Sequence, residues 1–144
     1  MLRLAPLALL LLSAATVTHA TAETIPGPVA ATVDRVVDGD TFAVTVRIWL
    51  GQDVHVLVRV RGIDTPELRG RCADEKRQAR RAASNAAEVL GEGAVTLTRI
   101  EGDKYSGRVL ADVLLSDGRD LAAVMLATGT ARRYDGSARK GWCG

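Results

Sequence analysis

A small set of acids and arginines in this chain has the chemistry to hydrolyse a phosphodiester if brought together. They fall in short runs: Asp38-Gly39-Asp40-Thr41, then Arg59, then Ile63-Asp64-Thr65-Pro66-Glu67, then Asp103-Lys104-Tyr105-Ser106-Gly107-Arg108. Two aspartates hold a hard cation through oxygen. A nearby glutamate takes a proton from water. Two arginines clamp a phosphate and the charge that grows on it. Those are the parts for metal-assisted phosphodiester hydrolysis. A blander reading stands beside this one: Asp38 and Asp40 merely shape a turn, and Glu67 is a surface acid at the start of a loop.

The elements that must position these residues follow from periodicity. Val33 to Val37 reads as a strand, and Asp38-Gly39 as a hairpin turn in which Gly supplies positive φ. Phe42, Val44, Val46, Ile48 and Leu50 alternate with polar or small neighbours, the mark of a strand with one apolar face. After a turn at Gly51-Gln52-Asp53, Val54, Val56, Val58 and Val60 repeat the alternation. His55, Leu57, Arg59, Arg61 and Ile63 take the other face, so Arg59 points away from the core and toward a ligand. Asp74 to Leu90 reads as a helix, with Asp74 and Glu75 suited to its first turn and Gly91 ending it. Val95 to Ile100 is a fourth strand, and Val109 to Leu115 a fifth. Asp120 caps a short helix from Leu121 to Thr128. The fold class is thus α+β, mainly β with helices. Five strands with a helix between the third and fourth and a C-terminal helix suggest an OB-type Greek-key barrel. Periodicity alone leaves an open α+β sheet as a competitor.

Composition bounds the setting. The chain has 144 residues and a net charge of +2. Met1-Leu2-Arg3, an apolar run from Leu4 to Val17 and small residues at Ala20-Thr21-Ala22 have the layout of a secretory signal peptide over residues 1–22, leaving one domain over 23–144. A membrane anchor is the alternative, but the run falls short of the ~20 residues that a spanning helix needs. Export would place the protein in the periplasm or outside the cell. Arg3 is the one charged residue of that segment, so its removal leaves a charge near +1. A nearly balanced chain binds nucleic acid through a local patch rather than bulk charge. Arg69, Arg71, Lys76, Arg77, Arg80 and Arg81 form one basic cluster, and Arg132, Arg133, Arg139 and Lys140 a second; either also reads as solvated surface. Cys72 and Cys143 are the only cysteines. In an exported protein they are expected to pair, closing a long loop for roughly 4 kcal/mol. Two cysteines with no nearby histidine make an incomplete zinc ligand set.

The ordered runs resemble the staphylococcal nuclease (thermonuclease) family, from about Thr32 to about Arg132. The Asp-Thr-Pro-Glu run just after a strand carrying Arg59 is the most specific part. The resemblance implies the OB-type barrel. It implies calcium held by Asp40, Asp64 and the backbone carbonyl of Thr65, although magnesium or manganese also suits an all-oxygen site. Asp38 would lie beside these ligands, adding charge or orienting a water. Glu67 would be the general base, Arg59 and Arg108 the phosphate clamps, and Lys104 and Tyr105 contacts to the nucleotide. The implied substrates are DNA and RNA, single-stranded or frayed, cut by a monomer to leave 3′-phosphate ends. One departure stands out. The family's usual form has a single Gly between Tyr and Arg, whereas Ser106-Gly107 separates Tyr105 from Arg108. An added residue flips the face of a strand but is absorbed in a turn or bulge. Tyr134 is read as packing of the tail, with stacking on a base or sugar as the alternative. Two other functions compete. A catalytically silent OB module binds single-stranded nucleic acid through exposed aromatics, of which this chain has few. A calcium-stabilised secreted domain that recognises a protein needs no arginine pair.

Overall fold

The computed structural model describes residues 23–144; the segment read as a signal peptide lies outside them. Runs of alternating apolar residues broken by turns give eight strands and two helices among the described residues. The strands are β1 (Thr24–Ile25), β2 (Val29–Val36), β3 (Thr41–Trp49), β4 (Gln52–Val60), β5 (Ile63–Asp64), β6 (Ala94–Gly102), β7 (Arg108–Leu115) and β8 (Arg132–Arg133). The helices are α1 (Ala73–Leu90) and α2 (Leu121–Ala127). Strands β2, β3 and β4 form an antiparallel meander. Strand β7 runs parallel to β4, and β6 pairs with both β7 and β2. The ladder therefore closes in the order β2-β3-β4-β7-β6, an OB-type Greek-key barrel, and the open sheet is excluded.

The barrel is filled by Phe42, Val44, Val58, Val60, Leu97 and Val113, each almost wholly removed from solvent. Helix α1 closes one end with Ala79, Ala82, Ala86 and Leu90, and α2 adds Leu121 and Met125. The small alanine face lets α1 approach the barrel closely. A methyl group placed on Gly39 would lie 2.6 Å from Ala82 Cβ and 2.9 Å from Thr65 Cγ2. Gly39 thus serves close packing, not the positive φ expected of a turn glycine; its φ is not among the positive values.

The alternation in β3 and β4 was expected to carry apolar residues into the core along its whole length. It does so only at the barrel end. Ile48 is 57% exposed, Leu50 87% and Val54 42%, because the β3–β4 hairpin runs out past the core. Ile63, assigned to the polar face, is fully buried. A turn at Arg61-Gly62, with Gly62 at φ 83°, resets the alternation before β5. Strand β5 then pairs with β8, a two-residue ladder too short to leave a periodic signal. No helix among the described residues is long and apolar enough to cross a membrane.

Candidate active site

Strand register brings the two expected phosphate clamps together. Leu57 lies opposite Arg108 and Arg59 opposite Leu110 in the parallel β4–β7 ladder. Residues two apart share a face, so Arg59 and Arg108 project from the same side of neighbouring strands. The extra residue before Arg108 is absorbed in the β6–β7 turn. Gly107 adopts φ 76°, its carbonyl accepts from Leu57 N at 3.0 Å, and Asp103 N donates to Arg108 O at 3.1 Å. Arg108 Nε donates to Asp103 Oδ2 at 2.5 Å, and its guanidinium lies 4.5 Å from the centre of the Tyr105 ring. Lys104 Nζ lies 5.2 Å from the same ring. Tyr105 itself is 56% exposed.

The β2–β3 turn delivers the acids. Asp40 sits opposite the end of β4, where its carbonyl accepts from Val60 N at 2.8 Å. Its carboxylate is buried and accepts from Thr41 Oγ1 at 3.0 Å, Thr65 N at 3.1 Å and Thr65 Oγ1 at 3.0 Å. Arg59 Nη1 lies 2.9 Å from Asp40 Oδ2, and Arg59 Nη2 donates to Ile63 O at 3.2 Å. Nη1 is buried and out of line for a hydrogen bond, so the pair is held by charge alone. Asp38 accepts from Asp40 N at 3.0 Å. Burial first, then the neighbouring Asp40 carboxylate, push the Asp38 carboxyl up from 3.8 to about 6.

Glu67 is held at the mouth by Glu75, a buried acid that was read only as a residue of the helix's first turn. Glu75 Oε2 accepts from Arg71 N at 2.9 Å, and Glu75 Oε1 lies 3.4 Å from Glu67 N. Gly70 packs directly against the Glu75 carboxylate, leaving no room for a side chain. Cys72 caps α1 and accepts from Glu75 N, while the Glu75 carboxylate reaches back past the cap to Arg71 N. The C-x-x-E spacing is the signal that could have identified this loop anchor. Cys72 is bonded to Cys143. Although Cys72, Glu75 and Cys143 cluster closely enough to share an ion, the bonded sulfurs leave Glu75 as the sole ligand there.

Asp38, Asp40, Arg59, Glu67, Lys104, Tyr105 and Arg108 line one cleft of about 850 Å³. Asp64 and Thr65 lie behind it, and their oxygens are covered by the C-terminal tail. Asp64 Oδ2 accepts from Arg132 at 2.8 and 3.1 Å and from Trp142 Nε1 at 3.0 Å. Asp64 Oδ1 accepts from Arg139 Nε at 2.6 Å, and Thr65 O accepts from Arg139 Nη2 at 3.1 Å. Arg139 Nη1 also pairs with Glu67 Oε1. Burial works against this charge, yet the bond to Glu67 and the charge of Asp64 hold the guanidinium above its ordinary pKa. Arg132 and Arg139 were read only as part of a basic stretch; nothing local in the sequence ties them, or Trp142, to Asp64. Tyr134 packs the tail, the first of the two readings given for it. Its hydroxyl donates to Ser137 O at 2.6 Å, and its ring faces Arg59 across the cleft at 5.9 Å. His55 is exposed at the hairpin surface.

As a donor set, two carboxylates and a carbonyl are all hard oxygen and suit a calcium-sized cation. The same oxygens are bonded to arginine. A sequence model of one family, described as Staphylococcal nuclease homologue, matches residues 57–141. The match takes in Arg59, Asp64 to Glu67, Lys104 to Arg108 and Arg139, and begins after Asp40. Among curated proteins no sequence matches the chain.

Proposed function

The chain belongs to the staphylococcal nuclease homologue family, and from that premise we propose that it is an exported, calcium-dependent endonuclease that hydrolyses DNA and RNA to leave 3′-phosphate ends. The observation that carries the proposal is the convergence of Arg59, Arg108, Glu67 and Asp40 on one cleft beside Lys104 and Tyr105. In OB barrels the second and third strands and the loops joining strands one to two and four to five bind oligonucleotides. Here those are β3, β4, the turn at Asp38–Asp40 and the turn at Asp103–Gly107, where the candidate residues lie.

Arg59 and Arg108 donate their forked N–H groups to the non-bridging phosphate oxygens, and donate most strongly as charge gathers there. Tyr105 and Lys104 hold the adjoining nucleotide. Glu67 accepts a proton from a water, whose oxygen bonds to phosphorus as the bond to the 5′ oxygen breaks. The 5′ oxygen leaves with its growing charge eased by the arginine pair and takes up a proton from solvent. Asp40, Asp64 and the Thr65 carbonyl are the residues that would hold calcium, which supplies positive charge beside the phosphate. Contacts to phosphate and sugar give little base preference. We take the active species to be a monomer over residues 23–144, periplasmic or extracellular.

The decisive assay is incubation with single-stranded DNA in calcium and then in chelator. Cleavage that stops on chelation supports the reading, and 3′-phosphate ends support the bond assignment. One observation favours a second reading, a silent nucleic-acid-binding module: Arg139 is bonded to Asp64, Thr65 and Glu67 together. Tight binding of the same DNA with no cleavage in calcium, magnesium or manganese would select it.

A further inference from the structure

The tail that covers Asp64 is built as a strap. From Tyr134, a turn closed by Ser137 N on Asp135 Oδ1 at 3.0 Å leads to Arg139. Arg132 then fastens the next stretch. It donates to Gly141 O at 3.0 Å and to Lys140 O, and stacks on Trp142 with its guanidinium 4.1 Å from the ring. The Cys72–Cys143 bond fixes the far end to the loop that carries Glu67. Arg139 stands four residues before that anchor, and its guanidinium donates to three groups: Asp64, the Thr65 carbonyl and Glu67. Its side chain is 40% exposed, so it closes the pocket from the solvent side.

We propose that Arg139 is a built-in competitor for the cation, an autoinhibitory contact that holds the same oxygens a divalent metal needs and ties up the base at the same time. The proposal rests on the calcium reading above. A guanidinium and a calcium ion both carry positive charge and both seek hard oxygen, and Asp64 Oδ1 and Thr65 O serve one of them at a time. The anchor keeps Arg139 at high local concentration, so a cation meets a site that is mostly closed. A cation's apparent affinity falls by the fraction of open molecules, and releasing the strap restores it. Two releases are available. Arg139→Gln removes the charge but keeps the tail. Cys72→Ser with Cys143→Ser frees the strap without altering Asp64, Thr65 or Glu67.

The test is calorimetric titration of calcium chloride into chelator-stripped full-length protein, with thermal unfolding confirming that each variant is folded. Arg139→Gln should bind calcium about ten- to a hundredfold more tightly than the wild type, and the double serine variant should shift in the same direction. If Arg139→Gln binds calcium as the wild type does, or more weakly, the strap is not a competitor while the metal site stands. If no variant binds calcium at all, Arg139 has no ion to exclude, and the calcium reading falls with the proposal. These two failures are told apart by whether the wild type itself gives a binding isotherm.

Discussion

Arg59 and Arg108 face the same cleft on different tethers. Arg59 is nearly enclosed, charge-paired with Asp40 and bonded to the Ile63 carbonyl. Arg108 is tied to Asp103 and lies against the Tyr105 ring. Each is aimed by a neighbour and still has donors to offer. Replacing either by alanine is expected to lower kcat about 10²–10³-fold, the usual effect of losing one donor to a developing oxyanion. Lysine at position 59 should not restore it, since a point charge lacks the fork; recovery of wild-type cleavage in Arg59→Lys would count against a bidentate role. Asp38 gives a prediction for the metal-free protein. Its carboxyl is raised from 3.8 to about 6 by burial and by Asp40. In that window the folded state keeps a proton that the unfolded chain has lost. Stability is therefore highest below the ordinary value, falls as pH climbs to about 6, and is level above it. Urea unfolding of Asp38→Asn in chelator should lack this fall, a difference of roughly 2 kcal/mol after allowing for partial exposure. Equal slopes in the two proteins would contradict the assignment.

At the scale of elements, two glycines decide whether the site forms. Gly39 lets the acid-bearing turn pack onto Ala82 and Thr65. Gly39→Ala should destabilise the protein by about 1–3 kcal/mol, as overpacking does, measurable as a lower midpoint in thermal unfolding. An unchanged midpoint would mean that α1 yields at no cost. Most of the fold was legible in the sequence because alternation and helical spacing report which face is buried. Arg59's orientation follows directly from the parity of Val58 and Val60. Periodicity does not report where a core ends, which is why Ile48, Leu50 and Val54 were placed inside it. It also fails across a turn such as Arg61-Gly62, which carried Ile63 to the opposite side. The spacing before Arg108 resolved as a turn because Gly107 supplies the positive φ that a wider connection requires.

Across the whole molecule, the Cys72–Cys143 bond joins the C-terminal tail to the loop that leads into α1. It spans a sequence separation of 71, and its loss should cost roughly 4 kcal/mol by loop-closure entropy. Guanidinium unfolding with and without a thiol reductant checks this, and coincident curves would deny the bond a stabilising role. The pairing was legible from cysteine count and expected export. The strap's grip on the site was not, because Arg139 and Asp64 meet 75 residues apart and no local pattern encodes such a contact. The runs of acids and arginines were legible because each is short and contiguous; strand register pairs Arg59 with Arg108, and the flanking turns bring the acids to the same cleft. The most direct measurement of the hydrolytic claim is single-turnover cleavage of a labelled single-stranded oligonucleotide by wild type and Glu67→Gln in saturating calcium. Wild-type cleavage, with a fall of about 10²–10⁴ in the variant at equal oligonucleotide affinity, is the predicted result for loss of a general base. Cleavage by Glu67→Gln at the wild-type rate would contradict it.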